Sequence, residues 1–113
     1  DQAAYLRAMF SVVKEAPGFV VVGEAMSGEE AIVLAARVVP DLVLMDVNLP
    51  GIDGVQATRL LRAGDYPPGV LLLSTYDEDV GWQFVAESGA AAYMTKSAFG
   101  PDLLLDFWLA TVG

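Results

Sequence analysis

Three polar side chains in this chain stand at the ends of short apolar runs and could take part in chemistry together. They are Asp46, Ser74 and Lys96. A carboxylate can attack a phosphoryl group and form an acyl phosphate. A hydroxyl can hydrogen-bond one phosphoryl oxygen, and an ammonium group can neutralise another. If the fold brings them together, these residue types predict a site for phosphoryl transfer.

The elements that must position these residues follow from the hydrophobic pattern, which alternates apolar runs with amphipathic segments. We expect strands at residues 19–25, 41–46, 70–73 and 90–94. We expect helices at residues 2–15, 28–38, 54–63 and 77–88, and a last one from residue 101. Ser27 has the position of an N-cap residue for the second of these helices. This alternation favours a parallel sheet with helices on both faces. Because sites in such sheets lie at the carboxyl ends of the strands, the three polar residues should meet in one crevice.

Composition excludes several kinds of function. Cysteine and histidine are both absent, which rules out disulfides, thiolate or imidazole metal sites and histidine-dependent nucleophiles. The net charge of −9 would repel a phosphate backbone, so we expect no direct nucleic-acid binding by this domain. No apolar run approaches the ~18 residues that span a membrane. A length of 113 residues suits one domain, which we expect to be cytoplasmic and without membrane contact.

Residues 41–54, Asp-Leu-Val-Leu-Met-Asp-Val-Asn-Leu-Pro-Gly-Ile-Asp-Gly, resemble the phosphoacceptor region of bacterial response-regulator receiver domains, particularly the NarL/FixJ type. The resemblance extends over essentially the whole chain, residues 1–113. It implies a flavodoxin-like α/β fold, a three-layer sandwich around a five-stranded parallel sheet in the order 2-1-3-4-5. It also implies a phosphorylation-dependent signalling switch. Such a switch is no metabolic enzyme and takes part only in its own phosphorylation and dephosphorylation.

The resemblance gives each candidate site residue a role. Asp46 corresponds to the phosphoacceptor, and Lys96 to the lysine of the family. Ser74 corresponds to the hydroxyl residue of the family, and the family's spacing favours it over its neighbour Thr75. The peptide bond between Lys96 and Ser97 corresponds to one that is commonly cis in receivers, although a cis bond before a non-proline residue costs ~3–4 kcal/mol.

The resemblance also implies a switch residue and a metal. Tyr93 falls at the position of the aromatic switch residue, which turns inward when the Ser74 hydroxyl is drawn to the phosphoryl group. Asp1 resembles the second acid of an Asp-Asp motif. Two nearby carboxylates repel one another unless a hard cation lies between them. We therefore expect Mg²⁺ to be bound by Asp1, Asp46 and the backbone carbonyl of Asn48.

The chain departs from the receiver pattern at its start. Receivers have a strand before the acidic pair, and this strand lies between two others in the 2-1-3-4-5 order. Here the sequence begins at Asp1, so the first strand is missing from it. A sheet without its central strand would expose two rows of unpaired backbone groups. We therefore predict that preceding residues or another chain supply the strand; a sheet closed without it would disprove this.

The expected partners are inferred from the resemblance and from two helices that have more apolar residues than one core-facing side can bury. We expect a sensor histidine kinase as the phosphoryl donor, and a separate helix-turn-helix output domain is common in this family. One core-facing stripe of a helix covers only ~100°, so some apolar residues of the first and last helices should face outward. We expect a homodimer through these helices. The residues concerned are Tyr5, Leu6, Met9, Phe10, Val12 and Val13 in the first and Leu103, Leu104, Leu105, Phe107, Trp108 and Leu109 in the last.

Two alternatives stay open. A pseudo-receiver would act as a protein-interaction module without phosphorylation; the missing first acid favours it, and the presence of all three candidate site residues opposes it. An enzyme on the same fold is the other alternative. A flavoprotein needs a glycine-rich phosphate loop after its first strand, which the sequence lacks, and a haloacid-dehalogenase-type phosphatase needs an aspartate where Asn48 stands.

Overall fold

The computed structural model of the protein describes residues 2–49 and 51–111, and within these ranges it shows five helices and three strands. No helix in these ranges is long and apolar enough to span a membrane. The helices are α1 Gln2–Glu15, α2 Gly28–Val38, α3 Gly54–Arg62, α4 Glu78–Ser88 and α5 Pro101–Thr111. The strands are β1 Leu42–Asp46, β2 Gly69–Ser74 and β3 Ala92–Thr95.

The three strands form one parallel sheet in the order β1-β2-β3. In its register Asp46 stands opposite Leu73, and Ser74 stands opposite Thr95. The central strand β2 is buried on both faces, which explains its unbroken apolar sequence. The register places the carboxyl ends of all three strands at one edge, where the predicted site residues lie.

Helix starts are fixed by side chains that accept hydrogen bonds from free backbone amides. Ser27 Oγ accepts from Glu30 N at 3.1 Å at the start of α2, as predicted. Asp53 Oδ1 accepts from Gln56 N at 2.8 Å at the start of α3. Gly54 follows, and a Cβ at this position would run into the backbone of Asp46. The absence of a side chain at Gly54 therefore lets α3 begin against the end of β1.

Two hydrophobic clusters lie on opposite faces of the sheet, which confirms the predicted three layers. One cluster joins alternate strand residues such as Met45, Leu72 and Tyr93 to α2, α3 and α4. The other joins Leu71 and Leu73 to α1 and α5. Side chains of a strand alternate between faces, so each strand contributes to both clusters.

Segment 19–25 is not a strand, contrary to the prediction. Its Val20 and Val22 side chains are 81% and 56% exposed. A strand needs a neighbour to satisfy its backbone, and a cavity of about 190 Å³ separates this segment from β1. No described segment occupies the place of the expected central strand, so the segment has nothing to pair with. The sheet accordingly has three strands, and the five-strand detail is not confirmed.

The edge of β1 that faces this cavity is open. The other edge pairs with β2, where Gly69 N donates to Asp41 O and Val47 N donates to Leu73 O, both at 3.0 Å. Along a strand, the backbone N–H and C=O groups of successive residues point to opposite edges. Those of Leu42 and Leu44 therefore point toward the cavity. The described residues thus do not close the sheet, and a strand supplied from elsewhere stays a prediction.

Candidate functional site

Asp46 is the last residue of β1 and only 5% exposed. Its two carboxylate oxygens have different partners. Oδ1 accepts a hydrogen bond from Asn48 N at 2.9 Å, and Oδ2 forms an ion pair with Lys96 Nζ at 2.9 Å. A buried carboxylate is stable only when its charge is compensated, and these contacts provide that compensation at the strand end.

Lys96 follows β3 and reaches back across the sheet edge to Asp46. Its own backbone N–H donates to Ser74 O at 2.8 Å, which continues the ladder between β2 and β3 beyond the last strand residue. Its side chain is 28% exposed, and Nζ lies 3.9 Å from the ring centroid of Tyr5. The peptide bond between Lys96 and Ser97 is trans, since the described residues contain no cis bond. The prediction of a cis bond between Lys96 and Ser97 is therefore wrong. A cis bond before a non-proline residue costs ~3–4 kcal/mol.

Ser74 and Thr75 differ in their surroundings. Ser74 ends β2 and is fully buried, and its Oγ accepts a hydrogen bond from Tyr76 N at 3.4 Å. Thr75 is exposed. The Ser74 backbone lies at the same sheet edge as Asp46, one register position beyond Leu73. Sheet geometry thus brings this buried hydroxyl residue to the Asp46–Lys96 edge.

Tyr93 lies inside the protein, with 4% of its surface exposed. Its hydroxyl donates to Tyr76 O at 2.6 Å. Burial raises the pKa of Tyr93; the nearby negative charges of Asp77, Asp46 and Glu78 also raise it, while a hydrogen bond with Ser74 lowers it. The Tyr93 ring therefore points inward in this structure.

Tyr76 and Glu29 are site residues that the sequence did not indicate. Tyr76 OH donates to Asn48 Oδ1 at 3.5 Å, and its ring meets Phe84 edge-to-face. Glu29, in the first turn of α2, accepts hydrogen bonds from Ile52 N at 3.3 and 3.4 Å. Both residues therefore support the segment after Asp46. An aromatic residue two positions after a strand end is the only signal that could have indicated Tyr76.

Tyr5 is a third residue of the site that the sequence did not indicate, because the sequence places it only among the apolar residues of the first helix from which a dimer surface is expected. Burial raises the pKa of its hydroxyl, and so does the negative charge of Asp46. The hydroxyl is buried without a hydrogen-bond partner among the described residues. Tyr5 therefore belongs to the surroundings of Asp46 and Lys96.

Asp1, the predicted second acid, lies outside the described residues. Among the described residues no group of three histidine, cysteine or acidic side chains could hold a metal ion. Magnesium, however, is commonly held by one or two carboxylates, with waters and phosphate oxygens as its other ligands. The Asp46 carboxylate and the adjoining backbone of Asn48, linked by a hydrogen bond of 2.9 Å, fit such a sparse ligand set.

Comparison with known proteins agrees with this geometry. A family model of the response regulator receiver domain matches residues 1–107. The response regulator GacA of Pseudomonas viridiflava is 44% identical over 81 residues, which cover 72% of this chain and 38% of that protein. The nitrate/nitrite response regulator NarL of Escherichia coli is 32% identical over 102 residues, which cover 90% of this chain and 47% of that protein. The chain therefore spans less than half the length of these relatives.

Solved structures show the same architecture. A LuxR-family two-component response regulator from Aurantimonas sp. SI85-9A1 superposes with a TM-score of 0.83 and 32% identity, covering 94% of this chain and 75% of that chain. The family match includes the strand ends that carry Asp46, Ser74 and Lys96. By sequence and by fold, the chain belongs to the response regulator receiver domain family, the receiver modules of two-component signalling.

Proposed function

We propose that this receiver domain accepts a phosphoryl group on Asp46 from a sensor histidine kinase and acts as a signalling switch. The observation that carries the proposal is the ion pair between Asp46 Oδ2 and Lys96 Nζ at the carboxyl edge of the sheet. The pair joins residues 50 positions apart, so the fold and not the local sequence creates it. A nucleophilic carboxylate beside a fixed ammonium is the arrangement that phosphoryl transfer needs.

In the proposed reaction an Asp46 carboxylate oxygen attacks phosphorus. The bond from phosphorus to the donor's leaving group breaks, and its electron pair leaves with that group. Positioning and charge supply most of the catalysis of phosphoryl transfer. Lys96 stabilises negative charge on the phosphoryl oxygens, and the Ser74 hydroxyl hydrogen-bonds one of them.

Magnesium binding is typical of the family, and we propose Asp46, the Asn48 carbonyl and Asp1 as its protein ligands here. When bound, the cation supplies positive charge that neutralises the phosphoryl oxygens. The chain's own contribution is orientation. The hydrogen bond from Asn48 N to Asp46 Oδ1 holds the carboxylate against the segment that follows β1.

We further propose that phosphorylation stabilises the inward arrangement of Tyr93. The Tyr93 hydroxyl holds the backbone of Tyr76, and Tyr76 in turn contacts Asn48. A phosphoryl group that draws Ser74 toward Asp46 would act on this chain of contacts, because Tyr76 N donates to Ser74 Oγ. The negative charge of the phosphoryl group would thereby change how Tyr93 packs against α4.

The partners and place of action are proposed from the family. A histidine kinase donates the phosphoryl group in the cytoplasm, and a separate DNA-binding domain elsewhere in the full protein is the output. Residues 1–113 form one receiver domain whose central strand comes from outside the described ranges. Phosphorylation controls dimerisation through α1 and α5 or the activity of the output domain.

The proposal is tested by intact mass after incubation with acetyl phosphate and Mg²⁺. The protein should gain one phosphoryl group, and Asp46→Asn should gain none because the nucleophile is removed. Asp65→Asn is the matched control, since it changes an exposed aspartate away from the site and should leave the gain intact. A phosphorylated Asp46→Asn protein would show that the assigned site is wrong.

A second candidate function is the phosphorylation-independent pseudo-receiver. The contacts that hold Tyr93 inward, its packing beneath α4 and its hydrogen bond to Tyr76 O, are made by the protein alone, which favours it. The same mass experiment separates the two functions. A protein that includes the segment supplying the central strand, is folded by circular dichroism and gains no phosphoryl group supports the pseudo-receiver and disproves the phosphoacceptor.

A further inference from the structure

The ammonium group of Lys96 lies between a carboxylate and an aromatic ring. On one side is the Asp46 carboxylate, with Oδ2 at 2.9 Å from Nζ. On the other side is the ring of Tyr5, whose centroid is 3.9 Å from Nζ. A cation over the face of an aromatic ring is attracted by the ring quadrupole, and more so when water is partly excluded. Lys96 is 28% exposed, so its ammonium is partly shielded from water.

The ring of Tyr5 is held in place by the packing of α1. Tyr5 packs against the cluster that joins α1 and α5 to the sheet, and Met9, one turn later on the same helix, is buried in that cluster. The tyrosine hydroxyl makes no hydrogen bond to the described residues. The observed contact with Lys96 is thus a property of the ring face, and the hydroxyl is not needed for it.

We propose that Tyr5 is a positioning residue for Lys96. A lysine side chain is long and flexible, and an ammonium without a second contact would spend part of its time in solvent, away from Asp46. The ring restricts Lys96 to the side of the carboxylate, so that the charge is in place when a phosphoryl group arrives. This inference rests on the proposed phosphoacceptor function and assigns to α1 a part in it.

The contact can be measured directly because the chain has two lysines, Lys14 and Lys96. With lysine labelled at Cε, the NMR spectrum of the purified protein contains two signals, and Lys14, exposed on α1, is an internal reference. The ring current of Tyr5 should shift the Lys96 signal upfield. Tyr5→Phe should keep that shift, and Tyr5→Leu should abolish it while the Lys14 signal stays unchanged.

The consequence for phosphorylation is measured with acetyl phosphate and Mg²⁺ on the same proteins. Tyr5→Leu should lower the initial rate about three- to tenfold, the effect of losing a partly desolvated cation–ring contact. Tyr5→Phe should stay within about twofold of the unchanged protein. Tyr66→Leu is the control, since it removes a ring that is exposed and lies away from both the site and the α1–α5 surface. It should change neither the rate nor the Lys96 signal.

The outcomes separate this inference from the proposed function. If the protein without substitutions, with its central strand supplied, gains no phosphoryl group, the phosphoacceptor function is overturned. The role of Tyr5 is overturned if the Tyr5→Leu protein is phosphorylated at the same initial rate as the protein without substitutions. It is also overturned if the Tyr5→Phe rate is as low as the Tyr5→Leu rate. If Tyr5→Leu does not fold, the Lys96 signal of the unchanged protein decides, and the absence of an upfield shift there overturns the inference.

Discussion

Tyr93 connects the buried core to the sheet edge that carries Asp46. Its ring belongs to the hydrophobic cluster beneath α4, while its hydroxyl holds the backbone of Tyr76. An aromatic residue with an apolar body and a polar end suits such a boundary. The cost of this position is electrostatic, because burial and nearby carboxylates both disfavour an ionised phenol. Burial and the nearby carboxylates therefore favour the neutral form of Tyr93.

The raised pKa of Tyr93 predicts a loss of stability at alkaline pH. A group whose pKa is higher in the folded state than in the unfolded state contributes stability that is fully present below the unfolded pKa. For Tyr93 this stability is present below the ordinary value of 10.0 and is lost as the pH rises beyond it. Urea unfolding midpoints at neutral pH and above pH 10 should differ less for Tyr93→Phe than for the unchanged protein.

Other groups also titrate in this range, so the comparison of pH dependences isolates Tyr93. Tyr66→Phe changes a tyrosine that is 78% exposed and serves as the control. A pH dependence that is identical in Tyr93→Phe and in the unchanged protein would contradict the prediction.

The fit of α4 against β3 depends on one glycine. A Cβ at Gly81 would meet the ring atoms of Tyr93 well inside van der Waals contact. Glycine is unfavourable inside a helix by about 1 kcal/mol relative to alanine. Its presence in α4 is explained by the space that the inward Tyr93 ring needs. The helix thus gives up some intrinsic stability to let the Tyr93 ring pack beneath it.

Gly81→Ala should destabilise the protein or displace the Tyr93 ring outward. The gain in helix propensity is about 1 kcal/mol, and overpacking of a core costs about 1–3 kcal/mol, so a net loss of up to about 2 kcal/mol is expected. Urea denaturation and the NMR shifts of the Tyr93 ring measure the two effects. Gly100→Ala, where a Cβ meets nothing within 4 Å, is the matched control. A stabilised Gly81→Ala protein with an unmoved ring would refute this account.

At the scale of the whole molecule, α1 and α5 pack on the same face of the sheet and leave apolar side chains outside the core. Leu104 and Phe107 of α5 are buried, as a core-facing stripe requires. Leu103 and Leu109 are 42% and 57% exposed, and Phe10 of α1 is 39% exposed. Exposed apolar residues on adjacent helices are typical of an association surface, which is consistent with the proposed dimer.

Dimerisation should respond to a charge placed on this surface. Each copy carries a net charge of −9, so association must overcome repulsion, and Leu109→Glu should shift the phosphorylated protein toward monomer in light scattering. Tyr66→Glu is the control, since it adds the same charge at an exposed residue in another part of the chain. A protein that stays monomeric at high concentration, with and without phosphorylation, would exclude the α1–α5 dimer.

The sequence by itself determined the local elements. Apolar runs and capping residues such as Ser27 predicted the five helices and three of the four expected strands, because these signals act between residues close in the chain. The family resemblance could also be recognised from the sequence. The sequence further predicted that Asp46, Ser74 and Lys96 lie at one edge of the sheet, since parallel strands bring their carboxyl ends to the same edge.

Only the tertiary structure decided what depends on partners distant in the chain. Segment 19–25 has the composition of a strand, yet it forms none without a neighbouring backbone to pair with. The place of Tyr5 over Lys96 depends on how α1 packs against the sheet, and the inward Tyr93 depends on the space beside Gly81. Periodicity predicts which face of an element is buried, but it does not determine which side chain of another element lies against it.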